Sequence, residues 1–212
     1  MKLFLLFLVI LVYGCGQSTG SEAGKLGSIQ EINPLRVGDE WTYKYIVSPT
    51  DPGGYTPEYL TIRVVGTQLF RGRSMYQMSQ DAGKSLWYYD GTTDLYSITD
   101  TNSTFVSHLL HSPLTIGQSF VFRDTVLETS TIDKAILTLT ETSVPITTEA
   151  GTFSCFHFIQ ENYKGDITHP DSSKTDQWYA KGIGMIRNRY SEWHDGKKAD
   201  HGGLDLKSYK IN

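Results

Sequence analysis

Trp41-Thr42-Tyr43-Lys44-Tyr45-Ile46-Val47-Ser48 is the stretch that decides the fold class. Trp41, Tyr43, Tyr45 and Val47 alternate with Thr42, Lys44, Ile46 and Ser48. That is the two-residue period of a strand with one face turned to a core. The lead-in, Pro34-Leu35-Arg36-Val37-Gly38-Asp39-Glu40, sets a turn ahead of the strand through its proline and glycine. The same device recurs 79 residues later, from Pro113 to Phe122, as Pro113-Leu114-Thr115-Ile116-Gly117-Gln118-Ser119-Phe120-Val121-Phe122. The shared pattern is Pro-Leu-x-aliphatic-Gly-x-x-aromatic-x-aromatic, and it makes Trp41 and Phe120 equivalent inward residues. A looser echo relates Trp87-Tyr88-Tyr89 to Trp178-Tyr179. An old duplication and one device used twice explain these echoes equally well, because two copies fall short of a repeat array.

Working outward, short strands separated by turn signals fill the chain. Asp51-Pro52-Gly53-Gly54 breaks the first strand, and Tyr59–Val65 is the next. Arg71-Gly72-Arg73 turns into Ser74–Ser79, and Ser85–Tyr89 ends at the hairpin dipeptide Asp90-Gly91 before Asp94–Thr99. Gln118–Arg123, Val126–Ile132 and Ala135–Thr142 read as three strands, with a turn around Ile132-Asp133-Lys134. Phe153–Tyr163, Thr175–Ala180, Met185–Trp193 and Leu204–Ile211 complete the series. Helix is expected only near Phe105–His111. Nine to eleven strands of this kind imply one antiparallel all-β domain.

The chain begins Met1-Lys2, continues as an apolar run from Leu3 to Tyr13, and reaches Gly14-Cys15-Gly16. A basic residue, a short apolar stretch and a small residue are secretory signal anatomy. The run is too short for a stable membrane span of roughly 20 residues. Leu11-Val12-Tyr13-Gly14-Cys15 resembles the bacterial lipobox, although Tyr13 stands where a small residue is usual. The resemblance implies removal of residues 1–14 and lipidation of Cys15, whose acyl chains would hold the protein on a membrane. Gly16 does not resemble the Asp that retains lipoproteins at an inner membrane, so an outer membrane is expected where the organism has two. Residues 15–33, small and polar at their start, read as the lipidated cysteine and a flexible tether. The all-β domain is expected over 34–212.

Composition excludes several classes. The 212 residues carry 19 Lys+Arg against 23 Asp+Glu, with no basic run, so nucleic acid is not an expected partner. There are only two cysteines, and Cys15 is committed to lipid, which rules out a disulfide framework. Cys155 reads as a small buried apolar residue.

Three segments, Pro34–Tyr43, Thr148–Cys155 and Gln177–Arg187, together resemble the TapB-like family of bacterial envelope proteins. In that family a "Leu-x-Val-Gly-x-x-Trp" lead-in, an "Ala-Gly-Thr-Phe-x-Cys" loop and a "Trp-Tyr-Ala-x-Gly-Val-Gly" hairpin recur in this order. The resemblance covers most of residues 33–193. It implies a single antiparallel sheet curled into an open half-barrel, similar to lipoprotein-carrier folds, with a β-sandwich as the alternative. It implies no activity. Read alone, Ala150-Gly151 suits a tight turn, and Gly182 and Gly184 around Ile183 suggest a bulge or a close backbone approach.

No catalytic motif stands out. Gly-x-Ser-x-Gly is absent, and Gly182-Ile183-Gly184 lacks the setting of a phosphate loop. His169 with Asp171, and His194, Asp195, Asp200 and His201, cluster in Gly- and Pro-flanked turns that read as solvated polar residues. No catalytic residue, metal or cofactor is therefore expected. The aromatics are different. Trp41, Tyr43, Phe120, Phe153, Trp178 and Tyr179 are expected to form an apolar face, which an incompletely closed sheet would leave open as a pocket. The expected role is that of a membrane-anchored envelope lipoprotein that binds an apolar small molecule or an envelope partner without catalysis. The alternatives are a purely structural module with a filled core, and a hydrolase with a loop-borne site around His194, Asp195 and His201.

Overall fold

Alternating apolar residues need a neighbouring strand on each side to satisfy their backbone, and short turns supply antiparallel neighbours. A computed structural model of the chain describes residues 27–47, 58–80, 83–98, 107–127, 131–166, 168, 170–194 and 196–212. Cys15 and the signal segment lie outside the described residues.

The first half contributes β1 (Glu40–Ile46), β2 (Tyr59–Phe70), β3 (Arg73–Gln80), β4 (Gly83–Asp90), β5 (Asp94–Ile98) and β6 (Ser107–His111). The second half contributes β7 (Ser119–Leu127), β8 (Thr131–Thr148), β9 (Gly151–Asp166), β10 (Asp171–Ala180), β11 (Gly184–His194) and β12 (Lys197–Lys210). All join one sheet in the order β6-β5-β4-β3-β2-β1-β12-β11-β10-β9-β8-β7, so each half is a six-strand meander. The halves join where β1 pairs antiparallel with β12, Trp41 opposite Tyr209 and Tyr45 opposite Leu204. The sheet is nearly closed into a barrel with an unsealed seam between β6 and β7.

The all-β, single-sheet expectation holds, with more strands and fuller closure than a half-barrel. Two local expectations fail. Residues 107–111 are strand, because Leu110 pairs opposite Leu95 and both are fully buried. Ile132-Asp133-Lys134 is not a turn but part of β8, which continues from Thr131 through Thr148 opposite β9. There the polar pair Asp133 and Lys134 sits at ladder positions opposite Lys164 and Tyr163.

The 79-residue echo is structural. Gly38 and Gly117 both take positive φ, at 94° and 80°, a conformation glycine adopts without strain. Gly38 N–H donates to Val64 O and Val64 N–H to Asp39 O; Gly117 N–H donates to Leu139 O and Leu139 N–H to Gln118 O. Asp39 Oδ2 accepts from Arg36 N, as Gln118 Oε1 does from Thr115 N. Leu35 and Leu114 are both buried. The looser echo fits too, since Trp87 lies on β4 and Trp178 on β10, the fourth strand of each half.

The expected tether does not extend to residue 33. Ile29 and Ile32 are fully buried on a single helical turn, α1 (Ile29–Ile32). Ile29 N–H donates to Thr92 O at 3.1 Å, and Glu31 O accepts from Gly182 N at 2.6 Å. The Tyr89 hydroxyl donates to Asn33 O, and the Ser112 hydroxyl to Gly27 O. This segment therefore plugs one end of the barrel, tying the β4–β5 turn to the β10–β11 turn. Its two isoleucines exchange water for core, worth about 1.5–3 kcal/mol each.

Candidate functional site: an apolar cavity inside the barrel

Inward-facing residues of both halves leave a cavity of about 230 Å³. From the plug and β1 come Asn33, Trp41 and Tyr43; from β2 to β6 come Ile62, Met78, Trp87, Leu95 and Leu109. Gln160, Gln177, Tyr179 and Met185 supply the far wall, on β9, β10 and β11. Strand alternation explains the choice: Gln177 and Tyr179 turn inward, and Trp178 between them turns away.

The aromatic walls are pinned at their polar tips. Trp41 Nε1 donates to Ile183 O at 2.6 Å, and the Tyr43 hydroxyl donates to Met185 O at 3.0 Å. These bonds reach the β10–β11 turn, where Gly184 has φ +105° and a Cβ would stand 2.5 Å from Asn33 Oδ1. The crowding at this glycine comes from the side chains of Asn33 and Trp41 rather than from a second backbone. Burial pushes the Tyr43 and Tyr179 phenols well above the usual tyrosine range. Both remain neutral, and they are the titratable groups among the cavity-lining residues.

One polar atom is out of balance. Gln177 Oε1 is buried and has no hydrogen-bond partner. A buried acceptor without a donor costs about 1–3 kcal/mol. The cavity therefore offers mostly apolar walls for a chain or ring, with the amide side chains of Asn33, Gln160 and Gln177 among its lining residues.

Of the residues expected at a pocket, Trp41, Tyr43 and Tyr179 line the cavity. Phe120, Phe153 and Trp178 do not. Trp178 stacks on His157, with ring centroids 4.5 Å apart and planes 4° apart. Phe153 packs edge-on to Tyr209 at 6.0 Å. Phe120 stacks on His111 at the seam, with centroids 3.7 Å apart. The glutamines were missed because a polar residue on a strand normally signals the solvent face. Only their phase with Phe158 and Tyr179 carries the opposite message.

The seam is a lap joint. Leu95 faces the core, so its neighbours Asp94 and Tyr96 face outward, as does His108, paired with Tyr96. Yet Phe122 stacks on His108 at 4.3 Å, and Phe120 pairs with the fully buried Leu137 on the inner face of β7–β8. The inner face of one edge therefore covers the outer face of the other. Between them lies a second, more polar space of about 250 Å³, bordered by Tyr96, His108, Phe122, Arg123 and Gln160.

The loop-borne alternative resolves into an exposed ion-pair cluster. Glu192 Oε2 lies 3.2 Å from His194 Nε2 and 3.1 Å from His201 Nε2, and Asp171 Oδ1 lies 3.1 Å from His194 Nδ1. The Tyr190 hydroxyl and the two histidines hold Glu192 below the usual carboxylate range, against a smaller effect of burial. Glu192 and Asp171 hold His194 above the usual imidazole range. His169 and Asp195 lie outside the described residues. Cys155 is buried and unpaired, and burial pushes its thiol up to about 11 against the pull of Arg187. It packs as the small apolar residue expected.

Residues 129–202 match the model of a DUF3108-like family. No curated protein matches the chain. Among solved structures, the chain is similar to a candidate exported protein with a YmcC-like fold from Bacteroides fragilis. They share 14% identity over 88% of this chain and 100% of that one, with a TM-score of 0.48. It is also similar to a candidate lipoprotein from Parabacteroides distasonis, at 11% identity over 84% of this chain and 97% of that one, with a TM-score of 0.40.

Proposed function

We propose that this protein is a cell-envelope lipoprotein, anchored through Cys15, whose barrel holds a small apolar molecule without transforming it. The cavity carries this reading. Its walls are mainly aromatic and aliphatic, its tyrosines are neutral, and the side-chain amides of Asn33, Gln160 and Gln177 supply a few polar groups among them. Small-molecule sites are of this kind, apolar with a few placed polar groups. At about 230 Å³ the space fits a chain segment or a small ring system better than a bulky lipid. An envelope protein is the alternative partner. The TapB-like resemblance belongs to this reading, and two of its three segments, Thr148–Cys155 and Gln177–Arg187, fall within the family match at 129–202. The signal anatomy before Cys15 supports the envelope, and Gly16 supports the outer membrane of a two-membrane cell.

Two measurements test the two halves of the proposal. Full-length protein purified in detergent is extracted with organic solvent and the extract read by mass spectrometry against a Leu109→Trp variant that fills the cavity. A species enriched in wild type and depleted in the variant is expected; identical extracts would refute the binding role. Cys15→Ser should abolish lipid labelling and release the protein from membranes, and unchanged labelling would refute the anchor.

A further inference from the structure

The lap joint brings together three side chains that neither the cavity nor the anchor uses. Asp94 opens β5, and His108 and His111 lie on β6, with His111 paired directly opposite Asp94. Their ligand atoms all lie within 4.8 Å of one another. His111 Nδ1 is 2.8 Å from Asp94 Oδ1 and His108 Nε2 is 2.7 Å from the same oxygen. All three are largely shielded, with 12–18% of each side chain exposed.

The arrangement is odd for a simple ion pair. His108 Nε2 is buried and, despite its closeness to Asp94, makes no hydrogen bond of normal geometry. The second carboxylate oxygen, Asp94 Oδ2, accepts from the Thr93 hydroxyl, which leaves Oδ1 toward the histidines. Phe122 and Tyr96 sandwich the His108 ring, each at 4.3 Å, and Phe120 stacks on His111 at 3.7 Å. Both imidazoles are therefore oriented from β5 and from β7, and a ring nitrogen of each converges on one carboxylate oxygen, an arrangement a cation could bridge.

We propose that Asp94, His108 and His111 form a binding site for a divalent first-row transition metal of the zinc type, built into the seam of the barrel. Two imidazoles and one carboxylate are a common ligand set for such ions, which sit about 2.0–2.2 Å from each donor. With three protein ligands the ion keeps an open position for water, and His108 borders the polar space of the lap joint from which that water would come. The bound ion would cross-link β5 to β6 and stiffen the rings on which Phe120 and Phe122 stack, so it would also tighten the seam.

The test uses full-length protein in detergent, stripped with a chelator and titrated with zinc chloride by calorimetry, then with cobalt(II) chloride by visible absorption. One saturable equivalent is expected, with a cobalt spectrum of low coordination number. Asp94→Asn and His111→Phe keep volume and ring stacking while removing a ligand. Each should weaken zinc binding by at least roughly tenfold, with the far-ultraviolet circular dichroism unchanged. His194→Ala and His201→Ala, at the exposed cluster, should leave binding as it is. Absence of saturable zinc binding would overturn the proposal, as would binding that survives Asp94→Asn and His111→Phe but falls with His194→Ala.

Discussion

β1 and β7 start from the same lead-in and reach opposite situations. β1 lies in the middle of the sheet, paired with β2 and β12. β7 is an edge, paired with β8 alone. Trp41 is 3% exposed and bonded to Ile183 O. Its counterpart Phe120 is half-buried and leans on a histidine. The difference lies in what each strand meets. β12 is long, 14 residues, and pairs with β1 along its whole length from Glu40 to Ile46, with one bulge, whereas β6 has five. At the first residue of β11 stands Gly184, which admits Asn33 and Trp41. At the first residue of β5 stands Asp94, which collects two histidines. A local device therefore fixes a strand's start and phase, and its neighbour fixes whether the junction is sealed by backbone or lapped by side chains.

The largest expected effect tests this asymmetry directly. Trp41→Ala should cost about 3–5 kcal/mol in a denaturant titration, as truncations of buried large aromatics do. Phe120→Ala should cost less, about 1–2 kcal/mol, since only part of its surface leaves water. Equal losses would mean that the two junctions are equally packed.

Next comes the glycine. Gly184→Ala should cost about 2–3 kcal/mol, because strained backbone at φ +105° is joined by a contact with Asn33. Gly182→Ala has positive φ but open space around it, and should cost about 1 kcal/mol. Melting curves of the two variants rank them; the reverse order would break the account of the plug.

A smaller, pH-dependent effect belongs to the sealed side. Burial works to raise the Asp205 carboxyl, but bonds from Arg187 and Arg189 outweigh it and hold it below the usual range. A carboxylate depressed in the folded state stabilises above its unfolded pKa of about 3.9 and loses that contribution as pH falls through the folded value. Asp205→Asn should therefore cost about 1–2 kcal/mol at pH 7. The gap from wild type should close as the pH drops below about 4. A gap that persists at low pH would show that shape, not charge, matters there.

Much of the fold was legible because two-residue alternation and turn dipeptides are local signals. Asp90-Gly91, Ala150-Gly151 and Arg71-Gly72 all turn the chain where the sequence says, the last with positive φ at both residues. What escaped the sequence was long-range. Ile29 and Ile32 follow a polar segment and gain their burial only from a barrel end that the sequence does not display. Phe120, Phe153 and Trp178 have the right phase signals but face a seam, a neighbouring ring or the outer surface. Asp94, His108 and His111 are brought together by β5–β6 pairing at a bulge between Leu95 and Tyr96, which no spacing rule anticipates. The histidines singled out from the sequence, His194 and His201, meet on an exposed face instead.

The central claim is that the space between Trp41, Tyr43 and Tyr179 receives an apolar ligand. Titrating a fluorescent fatty-acid probe into full-length protein in detergent tests it most directly, with Leu109→Trp to fill the cavity and Val121→Trp on the exposed face of β7 as control. One saturable site in wild type and in Val121→Trp, weakened by roughly tenfold or more in Leu109→Trp, is the predicted result. No saturable signal in wild type, or equal affinity in all three proteins, would contradict it.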